Sequence, residues 1–199
     1  MALAAGVRDG KLRSVVFTAP AKNQGTTSTV LNVAGQLQVS CGLNPLVVEL
    51  NRSRPAFTRL FRFDGRKGVA SVAAGEPCQD CVQRAPNGVA MIPVGDFSSM
   101  NSNANFALTE AVRRIQQELS GAYDLILWDA PPVLEHPDVL ALRAVLPNIV
   151  LVVESGKARY EVLERIKREF ADAGMSLVGT IMVKQRRPIP DWIYRWLVH

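Results

Sequence analysis

The first candidate chemistry lies in Ala19-Pro20-Ala21-Lys22-Asn23-Gln24-Gly25-Thr26-Thr27-Ser28-Thr29. This segment follows an apolar run, Ser14-Val15-Val16-Phe17-Thr18. It precedes a stretch in which Val30, Val33, Ala34, Leu37 and Cys41 recur at helical spacing, until Gly42 and Pro45 stop it. A loop between a strand and a helix is where phosphate-binding loops belong. Their chemistry uses glycines that let backbone N–H groups approach the phosphates, a lysine for the terminal phosphates, and a Ser or Thr hydroxyl for Mg²⁺. Gly25 and Thr27 fit, and Gly25, Thr26, Thr27 and Ser28 form the residual phosphate loop. Against G-x-x-x-x-G-K-[ST], Pro20 replaces the first glycine and Thr26 the lysine. From the segment alone, a polar turn capping a helix is an equal alternative.

Two further acids end apolar runs: Glu49 in Pro45-Leu46-Val47-Val48-Glu49-Leu50 and Asp129 in Leu125-Ile126-Leu127-Trp128-Asp129. With Thr27 they make a hard-oxygen set suited to Mg²⁺ when a nucleotide is bound. Asp124 and Asp129 are five apart and face opposite sides of their strand, which leaves Asp129 as the catalytic candidate of an active enzyme. Arg52 and Arg54 suit phosphate or a partner's acid, or simply a solvated basic loop. Cys78-Gln79-Asp80-Cys81 has C-x-x-C spacing, but a structural zinc needs four ligands, and only Cys41, His136 and His199 remain to complete them. These cysteines read as small core residues, and His136, between Glu135 and Pro137, as a residue flanking a helix.

The elements that must position these residues alternate. Strands are expected at Ser14–Thr18, Pro45–Leu50, Val89–Val94, Leu125–Asp129, Ile149–Val153 and Leu177–Val183. Helical stripes are expected at Val30–Cys41, at Leu108, Val112, Ile115 and Leu119, and at Leu163, Ile166, Phe170 and Ala173. Continuous apolar strands are those covered on both faces, so the pattern predicts an α/β sandwich with a mainly parallel sheet and helices on either side. Ligands of such sheets sit beyond the carboxyl ends of the strands, where the loop, Glu49 and Asp129 all fall.

The 199 residues suit one domain, and 48% hydrophobic with 21% charged residues excludes wholesale disorder. Three cysteines fit a reducing compartment, and no run of 18 apolar residues is present to span a membrane. Met1-Ala2-Leu3-Ala4-Ala5-Gly6 is too short for a secretory core, so a cytoplasmic protein is expected. The net charge of +5 is mildly basic. Much of it lies in the final sixteen residues, where Lys184, Arg186, Arg187 and Arg195 face one acid, Asp191. With Trp192, Tyr194 and Trp196, the segment 186–199 reads as a basic aromatic tail beyond a 1–185 domain. It suits a partner groove or a membrane surface, or a last helix packed on its own sheet. One short cluster is a thin footprint for nucleic acid.

Taken together, Lys22 to Ala34, Leu46 to Pro55 and Tyr123 to Leu134 resemble the bacterial tyrosine kinases of capsule and exopolysaccharide synthesis, in the MinD/ParA-like branch of P-loop ATPases. The first segment lies without a gap on P-G-E-G-K-S-T-V-A-A-N-L-A. The second resembles V-D-A-D-L-R-R-P and the third Y-D-x-x-I-x-D-T-P-P-V-L. Asp138 also matches a position shortly after the double proline, and Asp129-Ala130-Pro131-Pro132 is the most specific stretch. The resemblance covers about Val15 to Val183 and implies a P-loop three-layer sandwich.

The departures are as informative. Asn23 stands for a glycine, Thr26 for the lysine, Glu49 and Asn51 for two aspartates, and Ala130 for a threonine. Lys184 falls near an asparagine that reads adenine in relatives. Tyr194 alone stands where relatives carry a tyrosine cluster, and no ring-forming E-x-x-R-x-x-R pattern is visible. A lysine–phosphate hydrogen bond contributes roughly 1.5–3 kcal/mol, and more as charge develops in phosphoryl transfer.

The expectation is therefore a pseudokinase: a non-catalytic regulator or scaffold that requires no cofactor and binds ATP or ADP with Mg²⁺ weakly if at all. The resemblance implies docking on a membrane polysaccharide co-polymerase, or chain-length determinant protein, which would place it at the periphery of the inner membrane. Arg186, Arg187, Trp192, Tyr194 and Trp196 are the expected docking residues, and a homo-oligomer is compatible. Two alternatives stay open: a divergent active ATPase or protein tyrosine kinase that recruits Lys22 or a partner's residue, and a MinD/ParA-like positioning protein on membrane or DNA.

Overall fold

Val15 and Phe17 point to one side of the first strand and Val16 to the other, because strand side chains alternate, and all three are fully buried. Both sides must therefore be covered. A computed structural model, which describes residues 2–98, 100 and 104–184, shows how. The strands are β1 (Ser14–Thr18), β2 (Pro45–Glu49), β3 (Gln83–Arg84), β4 (Ala90–Ile92), β5 (Leu125–Asp129), β6 (Asn148–Glu154) and β7 (Ser176–Val183). They form one sheet in the order β3-β4-β2-β5-β1-β6-β7, parallel except for the short β3–β4 pair.

One face carries α1 (Ala2–Arg8), α2 (Thr26–Cys41) and α3 (Phe57–Phe61), whose Ala4, Val7, Val30, Ala34, Leu37 and Phe57 pack with Val15, Phe17, Val47, Leu125 and Leu127. The other carries α4 (Val69–Ala73), α5 (Ala104–Leu119), α6 (Asp138–Ala141) and α7 (Tyr160–Asp172). There Val72, Leu108, Val112, Ile115, Ile166 and Phe170 pack with Val16, Leu46, Val48, Ile126 and Trp128. The three-layer sandwich with a mainly parallel sheet is thus the fold. Among the described residues no helix is long and apolar enough to cross a membrane.

The six expected strands and three long helices are all present. The structure adds α1, α3, α4, α6 and β3, which are too short to show a period. Tertiary contacts build α4: Val69 and Ala70 donate their N–H groups to the Pro93 and Val94 carbonyls, at 2.9 and 3.0 Å. Gly68 makes that approach possible, since a Cβ there would lie 2.4 Å from the Pro93 oxygen. Cys78 and Cys81 bracket a one-turn 3₁₀ segment and are fully buried in the α4/α5 core. Burial, followed by a hydrogen bond with Glu118, pushes the Cys78 thiol up to about 12, and burial raises Cys81 as well. Only the thiolate reacts, so a chromogenic disulfide reagent should label half-buried Cys41 alone in the native protein and all three cysteines in denaturant. The expected tail, residues 186–199, lies outside the described residues.

Candidate functional site

The parallel order brings the carboxyl ends of β1, β2 and β5 side by side, with Phe17 opposite Asp129 and Glu49 opposite Asp129 in register. Beyond those ends lies a cavity of about 940 Å³. Gly25, Thr26, Thr27, Ser28 and Asp129 all line it, so the residual loop and the strand-end aspartate are brought together.

The loop keeps the backbone of a cradle despite its changed residues. Gly25, with φ +83°, is in the left-handed region that glycine adopts at no steric cost, and its carbonyl accepts from the Thr29 hydroxyl at 2.8 Å. Helix α2 starts immediately after it, so its first N–H groups, unsatisfied within the helix, open on the cavity. Asn23 also has a positive φ, 63°. Asparagine is among the few other residues that adopt this conformation readily, so the glycine-to-asparagine departure leaves the turn intact. The Thr18 hydroxyl donates to the Pro131 carbonyl at 2.7 Å, which fixes the loop after β5 against the end of β1. The Lys22 N–H donates to Glu135 at 3.1 Å from the same side.

Asp129 is 1% exposed, and its Oδ2 has no hydrogen-bond partner. Burial pushes its carboxyl up to about 7; the Thr27 hydroxyl opposes the shift and the neighbouring Glu49 charge adds to it. A buried carboxylate oxygen without a partner beside a threonine hydroxyl, at the mouth of a phosphate-type loop, is a fitting place for a cation carried by a nucleotide.

Glu49 is placed differently from the expectation that it helps hold Mg²⁺. Its Oε1 accepts from the N–H groups of Ala56 and Phe57, the latter at 3.1 Å, and its Oε2 from that of Val94 at 3.1 Å. The carboxylate caps the start of α3 and anchors the chain after β4, and Glu49 does not line the cavity. The extra methylene relative to aspartate lets it reach both. Burial, outweighing the three amides, raises its pKa. Asn51, at the other aspartate position, lines the cavity and accepts from the Arg54 N–H at 3.1 Å, closing its own turn.

Of the two arginines, Arg52 lies over the Phe97 ring at 5.4 Å and donates to Asn105, whereas Arg54 faces the cavity. Lys184 bonds the Asn23 carbonyl at 3.2 Å and Glu154 at 3.0 Å, bracing the loop from β6 and β7, and does not line the cavity. His136 lines it, with Nε2 3.5 Å from the Ser53 hydroxyl. Arg59, on α3, is a lining residue that the motifs did not indicate, because its place depends on Glu49 starting that helix.

No family model matches the chain. It is 24% identical over 174 residues to the tyrosine-protein kinase YwqD of Bacillus subtilis (strain 168), spanning 87% of this chain and 73% of that protein. Among solved structures, the kinase domain of VpsO superposes with a TM-score of 0.81 at 21% identity, covering 94% of this chain and 92% of that one. The septum site-determining protein MinD of Pyrococcus horikoshii OT3, complexed with Mg-ADP, gives 0.68 at 18% identity, covering 94% and 77%. The chain is thus a homologue of the bacterial tyrosine kinases, built on the P-loop fold that they share with MinD.

Proposed function

We propose that this protein is a pseudokinase: a non-catalytic regulator or scaffold of exopolysaccharide or capsule synthesis that docks on a membrane polysaccharide co-polymerase. The observation that carries the reading is the absence of charge at two positions, the loop lysine and the second-strand acid, in an otherwise well-formed pocket. Thr26 lines the cavity where relatives place a lysine, and the Glu49 carboxylate is held by three backbone amides away from it. Phosphoryl transfer is catalysed by positioning and electrostatics, so a pocket without charge at these two positions retains binding, through its other cations and backbone amides, better than chemistry. A nucleotide's phosphates would meet the backbone N–H groups at the start of α2, while Thr27 and Asp129 would hold its Mg²⁺. The metal's chemistry there is neutralisation of phosphate charge.

Titrating a fluorescent ATP analogue with Mg²⁺ into wild type and Thr26→Lys tests the reading. Weak binding without turnover is expected for wild type, and a gain of about 10–100-fold in affinity for the lysine variant. An ATP-dependent phosphotyrosine signal from wild type that vanishes in Asp129→Ala would defeat it. The competing reading, a divergent active ATPase, draws on Lys22, which lines the same cavity. Mg²⁺-dependent turnover abolished by Lys22→Ala would select it.

A further inference from the structure

We propose that Arg54 supplies the positive charge to bound phosphates that Thr26 cannot, and that Asn23 holds it in place. The proposal rests on the nucleotide pocket of the preceding reading and concerns how this chain recognises a di- or triphosphate group.

Arg54 lines the cavity from the β2 side and donates through Nη1 to the Asn23 side-chain oxygen at 2.9 Å. Asn23 belongs to the phosphate loop itself, so the guanidinium is tied to the loop that would cradle the anion. The tether is neutral. An amide oxygen orients the guanidinium without cancelling its charge, and among the described residues no carboxylate pairs with Arg54. A guanidinium has five N–H donors in a fixed fork, and one bond to Asn23 leaves the others for phosphate oxygens.

Two departures from the kinase pattern in one loop become a single device. A lysine is lost at Thr26, and a side chain is gained at Asn23 that meets a cation on the cavity wall. The gain is possible because asparagine keeps the positive φ of 63° that a glycine there would adopt. The backbone of Arg54 is fixed independently by its N–H bond to Asn51. Asp129, buried with a partnerless Oδ2 on the same cavity, supplies the site for the cation accompanying the phosphates.

Calorimetric titration of the full chain with Mg-ADP and, separately, with Mg-pyrophosphate tests the proposal on wild type, Arg54→Ala, Arg54→Lys, Asn23→Gly and Arg59→Ala. Arg54→Ala should weaken both ligands by about 10–100-fold, with Arg54→Lys in between, since one charge remains but the fork is lost. Asn23→Gly preserves the turn and should weaken both by a few-fold, and Arg59→Ala by less than Arg54→Ala. Equal losses for the two ligands assign Arg54 to the phosphates; a loss for Mg-ADP alone would overturn that assignment. Unchanged binding by Arg54→Ala, or no binding of either ligand by wild type, overturns the proposal and leaves the non-catalytic reading standing. A phosphotyrosine signal from wild type would remove that reading without touching Arg54. Melting curves establish that each variant is folded, and if Arg54→Ala is not, Asn23→Gly decides.

Discussion

Replacing Asp129 by asparagine should stabilise the protein at pH 8, leave it nearly unchanged at pH 4, and abolish Mg²⁺-dependent nucleotide binding. The carboxyl titrates near 7 in the folded chain against an ordinary 3.8, chiefly because it is buried. A raised acid pKa means that the folded state holds the proton more tightly than the unfolded one. Between those two pH values the folded state binds more protons, so stability falls as pH rises. The penalty is absent below about pH 4 and complete above about 7. Three pKa units correspond to about 4 kcal/mol, and the buried amide of asparagine offsets part of the gain. A net gain of roughly 2–4 kcal/mol at pH 8 should raise the melting temperature by about 5–15 °C for a chain of this size. Melting curves of both proteins from pH 4 to pH 8 measure it, and parallel curves would refute the assignment.

The same shift makes ligand binding a proton exchange. A cation at Asp129 needs the ionised carboxylate, so Mg-ADP should bind more tightly as pH rises from 6 to 8 and should release a proton below about pH 7. A buried Oδ2 without a partner costs stability, and a bound cation would satisfy it. Strain of this kind is kept where binding relieves it.

The fold was legible wherever one residue type dominated a whole element. Leu125-Ile126-Leu127-Trp128 has the continuous apolar pattern of a strand covered on both sides, and Leu108, Val112, Ile115 and Leu119 the spacing of a helix laid on it; all eight are buried. Helix α3 was not legible, because its five residues begin where Glu49 captures two N–H groups, a contact made across a loop. The candidate site divides in the same way. The loop, Glu49 and Asp129 were expected at the carboxyl ends of strands, and a cavity lies beyond those ends. Which acid faces it was hidden, since Glu49 and Asp129 look alike as acids closing apolar runs. Only the positions of the Ala56, Phe57 and Val94 amides decide that Glu49 turns away. Asn23 was visible as a departure, but its reach to Arg54 depends on a φ angle that a sequence does not print.

That division makes Glu49 the second residue of large effect. Glu49→Ala leaves three backbone N–H groups, those of Ala56, Phe57 and Val94, without their acceptor. An unsatisfied buried donor costs about 1–3 kcal/mol, and some of these would recover water, so a loss of roughly 3–6 kcal/mol is expected. Against a typical total of about 5–15 kcal/mol, this brings the protein to the edge of folding. Glu49→Gln separates the contacts: its amide oxygen can still serve Ala56 and Phe57, while its NH₂ meets the Val94 N–H donor to donor. A loss of about 1–3 kcal/mol is therefore expected there. Glu49→Asp, which restores the residue found in the resembled kinases, is one methylene too short to bridge α3 and Val94. It should lie between the other two in stability while turning a carboxylate back toward the cavity. Urea unfolding of the three variants gives the order Gln, Asp, Ala from most to least stable. An alanine variant as stable as wild type would show that Glu49 is not the cap, and would return it to the acids available for a bound cation.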